Sequence, residues 1–174
     1  MPVPEIYFDS ASTTPLDKEV YKTYIDLLQR YFYNADSLYD KGVEVYRLLE
    51  KARSNIAKLL DVKSDEIIFT SGASEANSLA IKGLCMQKKK AHIVSSIMEH
   101  ASVYNALRQM KRVFGINVTY LKPDKNGLIT KEMVESAIRP DTFLVSLMAV
   151  NNEAGTIYDI KGISALIKKK TGIL

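Results

Sequence analysis

Short apolar runs alternate with longer stretches of helical spacing along the chain, and this alternation limits the fold more than any other feature. Residues 67–69, 91–95, 116–121 and 142–150 read as strands, and between them apolar side chains recur every three to four residues. One strand per helix is the pattern of βα units, whose parallel strands need helical crossovers. Residues 142–150 are nearly all apolar, as expected of a central strand covered on both faces. The prediction is an α/β fold, a mostly parallel sheet flanked by helices. The 174 residues suffice for one domain with a proper core, and 47% hydrophobic with 25% charged residues fits a soluble globular protein.

The helices can be placed by their faces. Thr14 reads as an N-cap with Pro15 at the first helical position and Asp17 three residues after the cap; Val20, Tyr24, Leu27, Leu28 and Tyr31 then share one side. After a break at Asn34-Ala35-Asp36-Ser37, a long helix carries Val45, Leu49, Ala52, Ile56, Leu59 and Leu60 opposite its charges. Ala76, Leu79, Ala80, Gly83 and Leu84 mark a third helix, with Cys85 beside that face as a small buried thiol. Val103, Leu107, Met110 and Phe114 line a fourth. Pro123-Asp124-Lys125-Asn126-Gly127 is a turn, Thr130 caps a short helix through Ile138, and Ile160, Ile163 and Ile167 face inward from the last. Thr171-Gly172-Ile173-Leu174 reads as a helix stop and the opening of one more strand, so the chain is expected to be part of a larger α/β domain.

Composition removes several function classes. No apolar run approaches the ~20 residues of a membrane span, and the first residues lack the basic start and apolar core of a signal peptide. The single cysteine excludes an internal disulfide and suits a reducing cytoplasm. The net charge of +4 gathers in Lys88-Lys89-Lys90 and Lys168-Lys169-Lys170, each at a predicted helix end where cations complement the dipole. Nucleic-acid binding would want basic residues interleaved with aromatics on one face, which is not the pattern here. Neither a dinucleotide-binding glycine motif nor a P-loop occurs.

Three turns could carry chemistry. In Phe69-Thr70-Ser71-Gly72-Ala73-Ser74-Glu75-Ala76-Asn77 a strand passes through small hydroxylated residues into a helix N-terminus, offering free backbone N–H groups and the hydroxyls of Thr70, Ser71 and Ser74 to a small anion. An empty strand–helix turn explains the same residues. Ser96 and Glu99 stand in capping-box spacing, so a helix begins with His100 in its first turn, at the edge where open parallel sheets bind ligands. His100 is there either as a surface cap or as a ligand-facing group. Asn151-Asn152-Glu153-Ala154-Gly155-Thr156 follows the most apolar strand, either as a ligand-edge loop or as an Asn-rich turn with Gly155 at positive φ.

Taken in order, Ile6-Tyr7-Phe8-Asp9-Ser10-Ala11-Ser12-Thr13-Thr14-Pro15, the Phe69–Asn77 string, Glu99-His100 and Val150-Asn151-Asn152-Glu153-Ala154-Gly155 resemble the N-terminal part of cysteine desulfurases, pyridoxal 5'-phosphate enzymes of fold type I related to class V aminotransferases. The resemblance implies a truncated large domain of such a transferase, with residues 1–14 as an N-terminal arm and residues 15–174 as a partial cofactor-binding domain. It implies that Ala73 and Ser74 hold the cofactor phosphate, that His100 stacks on the pyridine ring and assists proton transfer, and that Asn152 hydrogen-bonds the phenolic oxygen. Each role suits its residue type. It further implies L-cysteine as substrate, conversion to L-alanine with the sulfur kept as an enzyme persulfide, a sulfur-acceptor or iron–sulfur scaffold partner, and a homodimer. No metal, nucleic acid or membrane is implied.

The family's Schiff-base lysine, the aspartate facing the pyridine nitrogen, the persulfide cysteine and the carboxylate-binding arginine match nothing in residues 1–174, and are expected beyond Leu174. Residues 1–174 alone are therefore expected to be inactive. The loop at Asn34-Ala35-Asp36-Ser37-Leu38-Tyr39 has neither the proline nor the histidine often found there, and Ala149 stands where histidine is common. Two other readings remain: another class V aminotransferase-like enzyme such as a selenocysteine lyase, or a non-catalytic fragment of the fold.

Overall fold

The computed structural model describes residues 6–88 and 91–169. The expectations for Lys89, Lys90 and residues 170–174, including the further strand, lie outside them. The chain divides into two compact units, one ending at Phe69 and one starting at Thr70.

The first unit holds helices α1 (Lys18–Arg30) and α2 (Asp40–Leu60) and a 3-10 turn over Ser64–Glu66. Helix α1 starts later than predicted. Asp17, not Thr14, is its N-cap, accepting the Glu19 N–H at 2.8 Å and the Val20 N–H at 3.4 Å. A carboxylate satisfies two first-turn amides and meets the helix dipole, which a threonine hydroxyl further back does not. The predicted apolar faces occur in part: Tyr24, Leu27, Leu28 and Tyr31 meet Val45, Leu49 and Ala52 along a groove of about 400 Å³, while Val20, Ile56, Leu59 and Leu60 are exposed and α1 buries no residue. Gly42 lies under the 34–37 loop, where a Cβ would stand 2.5 Å from the Ser37 carbonyl oxygen and 2.8 Å from that of Asn34. Only glycine allows that approach.

Residues 67–69 are extended but not a buried strand, which corrects the prediction. Ile68 and Phe69 are exposed, and the run pairs with no strand among the described residues. Arg53 holds it instead, donating from Nη1 to the Ile67 carbonyl with its guanidinium 4.8 Å from the Phe69 ring centroid. An apolar run becomes a strand only where a neighbour takes its N–H and C=O groups.

The second unit is a three-layer α/β arrangement in the order α3 (Ala73–Gln87), β1 (His92–Ser96), α4 (Ala101–Phe114), β2 (Asn117–Leu121), α5 (Lys131–Ala137), β3 (Thr142–Val145) and α6 (Ile160–Lys168). The strands are parallel in the order β2-β1-β3. Strand β1 is central, and all five of its residues are buried. The prediction that 142–150 is the central strand is therefore corrected: its first four residues form β3 on the other side of β1, and the rest leaves the ladder. Side-chain alternation sends Ile93 to one face, against Ile81, Cys85, Val103, Leu107 and Met110 of α3 and α4. Val94 goes to the other, against Val134, Ile163 and Ile167 of α5 and α6. Cys85 is fully buried there, and burial pushes its thiol up from the ordinary range. On α3 the inward face is turned from the predicted one: Ile81 and Cys85 are buried while Leu79 is exposed, since the helix packs on α4 as well as on the sheet. The turn at Asp124 and Gly127, the Thr130 cap and the inward isoleucines of α6 match the prediction. Among the described residues no helix is long and apolar enough to cross a membrane.

Candidate functional site

The predicted site residues all fall in the second unit, with Ala73 and Ser74 opening α3, His100 in the loop leaving β1 and Asn152 in the loop after β3. The β2-β1-β3 order makes the gap between β1 and β3 the place where successive connections turn to opposite sides. In open parallel sheets that crevice is where ligands bind.

Helix α3 brings Ala73 and Ser74 to its first turn behind Gly72, its N-cap. No side chain caps this helix. The first intrahelical bond runs from the Ala76 N–H to the Gly72 carbonyl, so the amides before it have no partner inside the helix. Gly72 faces open space, with nothing within 4 Å of where a Cβ would stand. The turn's own polar groups are closed on themselves: Thr70 Oγ1 donates to the Gly72 carbonyl at 3.2 Å, and Glu75 Oε2 accepts the Ser71 N–H at 2.6 Å. That amide bond holds the Glu75 carboxyl below the usual carboxylate range. Uncapped amides, an exposed Ser74 hydroxyl and free space fit a phosphate.

His100 is itself the N-cap of α4, and its Nδ1 accepts the Ser102 N–H at 3.1 Å. The predicted Ser96–Glu99 capping box does not form. Ser96 Oγ accepts the Met98 N–H at 3.0 Å, while Glu99 Oε1 accepts the Met148 N–H at 2.7 Å. Asn77 of α3 donates from Nδ2 to Ser102 Oγ at 2.9 Å, and Ser102 Oγ lies 2.8 Å from His100 Nδ1. With Nδ1 accepting, the neutral ring carries its proton on Nε2. The imidazole is exposed, its orientation fixed from one nitrogen and its other nitrogen and ring face free to meet a ligand.

Asn152 opens the turn after β3, and its carboxamide is exposed. Its neighbour Asn151 is buried and shapes that turn: Oδ1 accepts the Glu153 N–H at 3.0 Å and the Ala154 N–H at 2.7 Å, while Nδ2 donates to the Met98 carbonyl at 3.1 Å. Gly155 takes φ 69°, as the turn reading required. Hydrogen bonds thus link the three predicted regions through side chains next to the predicted ones: Asn77–Ser102 joins α3 to His100, and Glu99–Met148 with Asn151–Met98 joins the His100 loop to the Asn152 loop.

Asn77, Glu99, Ser102 and Asn151 were missed as site residues. Glu99 had a capping explanation in the sequence, and Asn151 could not be told from Asn152 without the burial of one and the exposure of the other. Position within the first two turns of α3 and α4 was the available signal for Asn77 and Ser102.

The second unit is thus a parallel α/β unit that presents an uncapped helix N-terminus, an exposed histidine and an exposed asparagine. Residues 6–174 match the family described as aminotransferase class-V, and the chain belongs to it. It is 41% identical over 167 residues to cysteine desulfurase IscS of Dictyoglomus turgidum, covering 95% of this chain and 42% of that protein. Among solved structures it is similar to SspA in complex with cysteine (TM-score 0.88, 38% identity, 94% of this chain and 47% of that one). It is similar also to a NifS-like protein (TM-score 0.89, 34% identity, 97% and 47%). The chain thus spans less than half the length of these relatives.

Proposed function

We propose that this chain is the cofactor-binding portion of a pyridoxal 5'-phosphate-dependent cysteine desulfurase. The observation that carries the reading is the hydrogen-bonded linkage of the α3 N-terminus, His100 and the Asn152 turn at one sheet edge, in a chain whose relatives are named cysteine desulfurases. Ala73 and Ser74 would hold the phosphate with their amides and the Ser74 hydroxyl. His100 would lie against the ring, its Nε2–H available to hold or move a proton. Asn152 would donate its carboxamide N–H to the ring oxygen. When bound, the cofactor supplies an electron sink for cleavage at the substrate amino acid.

L-cysteine is the proposed substrate: its C–S bond breaks, the sulfur passes to an enzyme thiolate as a persulfide, and L-alanine leaves. Cys85 is not that thiolate, being buried in the α3–α4 core with its thiol pushed up. Residues 15–174 act on this reading as part of a larger cofactor-binding domain with residues 1–14 as its arm. The whole protein works as a cytoplasmic homodimer handing sulfur to an acceptor or iron–sulfur scaffold protein.

Given L-cysteine, pyridoxal 5'-phosphate and a reductant, the full-length protein should release sulfide and alanine in equal amounts, and residues 1–174 alone should release neither. Turnover of other amino acids with none of cysteine would instead make it another class V enzyme.

A further inference from the structure

The β1–β3 ladder ends early. Val94 pairs with Val145 and its carbonyl takes the Ser146 N–H at 2.9 Å, but Ser95 and Ser96 pair only with β2. Beyond that point no backbone ladder holds the loop leaving β1 against the loop leaving β3, although these loops carry His100 and Asn152. Two side chains take over. Glu99, from the first loop, accepts a backbone N–H of the second, at Met148; Asn151, from the second, donates to a backbone carbonyl of the first, at Met98. Each loop lends a side chain to the other's main chain, and Asn151 is 3% exposed while doing so. The same Asn151 carboxamide accepts the Glu153 and Ala154 N–H groups, so the crossing bond and the shape of the Asn152 turn depend on one side chain.

We propose that Glu99 and Asn151 form a reciprocal latch across the mouth of the β1–β3 crevice, and that this latch sets the spacing of His100 from Asn152. Its consequence for a phosphorylated pyridine rests on the cofactor reading above. Both are positioning residues, acting through His100 and Asn152 and not by touching the ring. What the latch needs from Glu99 is an acceptor oxygen, not a charge. What it needs from Asn151 is the Nδ2–H, which an aspartate lacks while keeping the acceptor that shapes the turn.

The test compares Glu99→Ala, Glu99→Gln and Asn151→Asp with the parent. The chain has 2 histidines, so the His100 imidazole signal can be read by NMR beside that of His92 as an internal reference. Glu99→Ala and Asn151→Asp should move the His100 imidazole and the Asn152 amide together while His92 stays. Glu99→Gln should leave all three in place. Pyridoxine 5'-phosphate, the alcohol that cannot condense with lysines, should bind about tenfold more weakly to the first two variants and within about twofold of the parent to Glu99→Gln. Unmoved signals in Glu99→Ala, or a Glu99→Gln as disturbed as Glu99→Ala, would overturn the latch. Unchanged affinity in all variants would overturn its role in spacing. If Glu99→Ala does not fold, Asn151→Asp and Glu99→Gln make the same comparison. A parent protein that does not bind the probe would sink the cofactor reading, and the NMR signals would still decide the latch.

Discussion

Glu99 shows how much a single acceptor can matter at the edge of a sheet. Its carboxyl is pushed up from the ordinary range by burial, and the Met148 N–H opposes that shift without cancelling it. A carboxyl whose folded value lies above its unfolded one holds its proton more tightly in the fold. Its contribution to stability is therefore whole below the unfolded value and lost as pH rises through the folded one. Glu99→Gln keeps the acceptor and removes the charge, so it should melt higher than the parent at pH 7, and the gap should close as both are taken to pH 4. Calorimetry at the two pH values checks this, and equal melting temperatures throughout would contradict it. The places of His100 and Asn152 in turns after apolar runs were legible in the sequence, while the roles proposed for them come from the family resemblance. Glu99 was not legible, since its spacing from Ser96 is also that of a capping box, and only the fold shows that Met148 takes its oxygen.

At the level of elements, His92 at the start of β1 fastens the three strands of the described residues, reaching the first residue of β3 and the middle of β2. Its Nδ1 lies 2.7 Å from Thr142 Oγ1 on β3 and its Nε2 2.8 Å from Thr119 Oγ1 on β2. The register beside it is irregular, His92 facing Thr142 while Ile93 faces Leu144. The histidine thus pins β3 where a one-residue slip would exchange its faces. Burial holds the imidazole below its ordinary range, with the Arg139 guanidinium adding to that shift and the Asp141 carboxylate opposing it. His92→Ala removes a fully buried ring and leaves two hydroxyls without it, so a loss of about 2–4 kcal/mol in urea unfolding is expected, and a loss within error of zero would refute the fastening role. No pattern announced this residue, because a lone histidine in a strand reads the same whether it faces water or two threonines. The strand predicted at 67–69 failed for a related reason: periodicity reports what a segment could bury, while pairing depends on a partner the segment does not encode. Residues 142–150 were over-read likewise, since an apolar run persists past Val145 after the ladder has ended.

For the whole molecule, alternation of apolar runs and amphipathic helices was enough to predict a parallel α/β arrangement, and four helices of the second unit lie on the two faces of its sheet as that pattern requires. The order of the motifs along the chain, more than any one of them, carried the family resemblance. Of those motifs, the α3 turn, the Glu99-His100 loop and the Asn151-Asn152 loop fall in the second unit, where side-chain hydrogen bonds link them. On the proposed reading, the first turn of α3, His100 and Asn152 form one cradle for a phosphorylated pyridine. The most direct measurement is a titration with pyridoxine 5'-phosphate followed by amide chemical shifts. Ala73, Ser74, His100 and Asn152 should move together along a single saturable curve. Shifts scattered over surface lysines, or a curve for Ser74 that differs from those of His100 and Asn152, would contradict it.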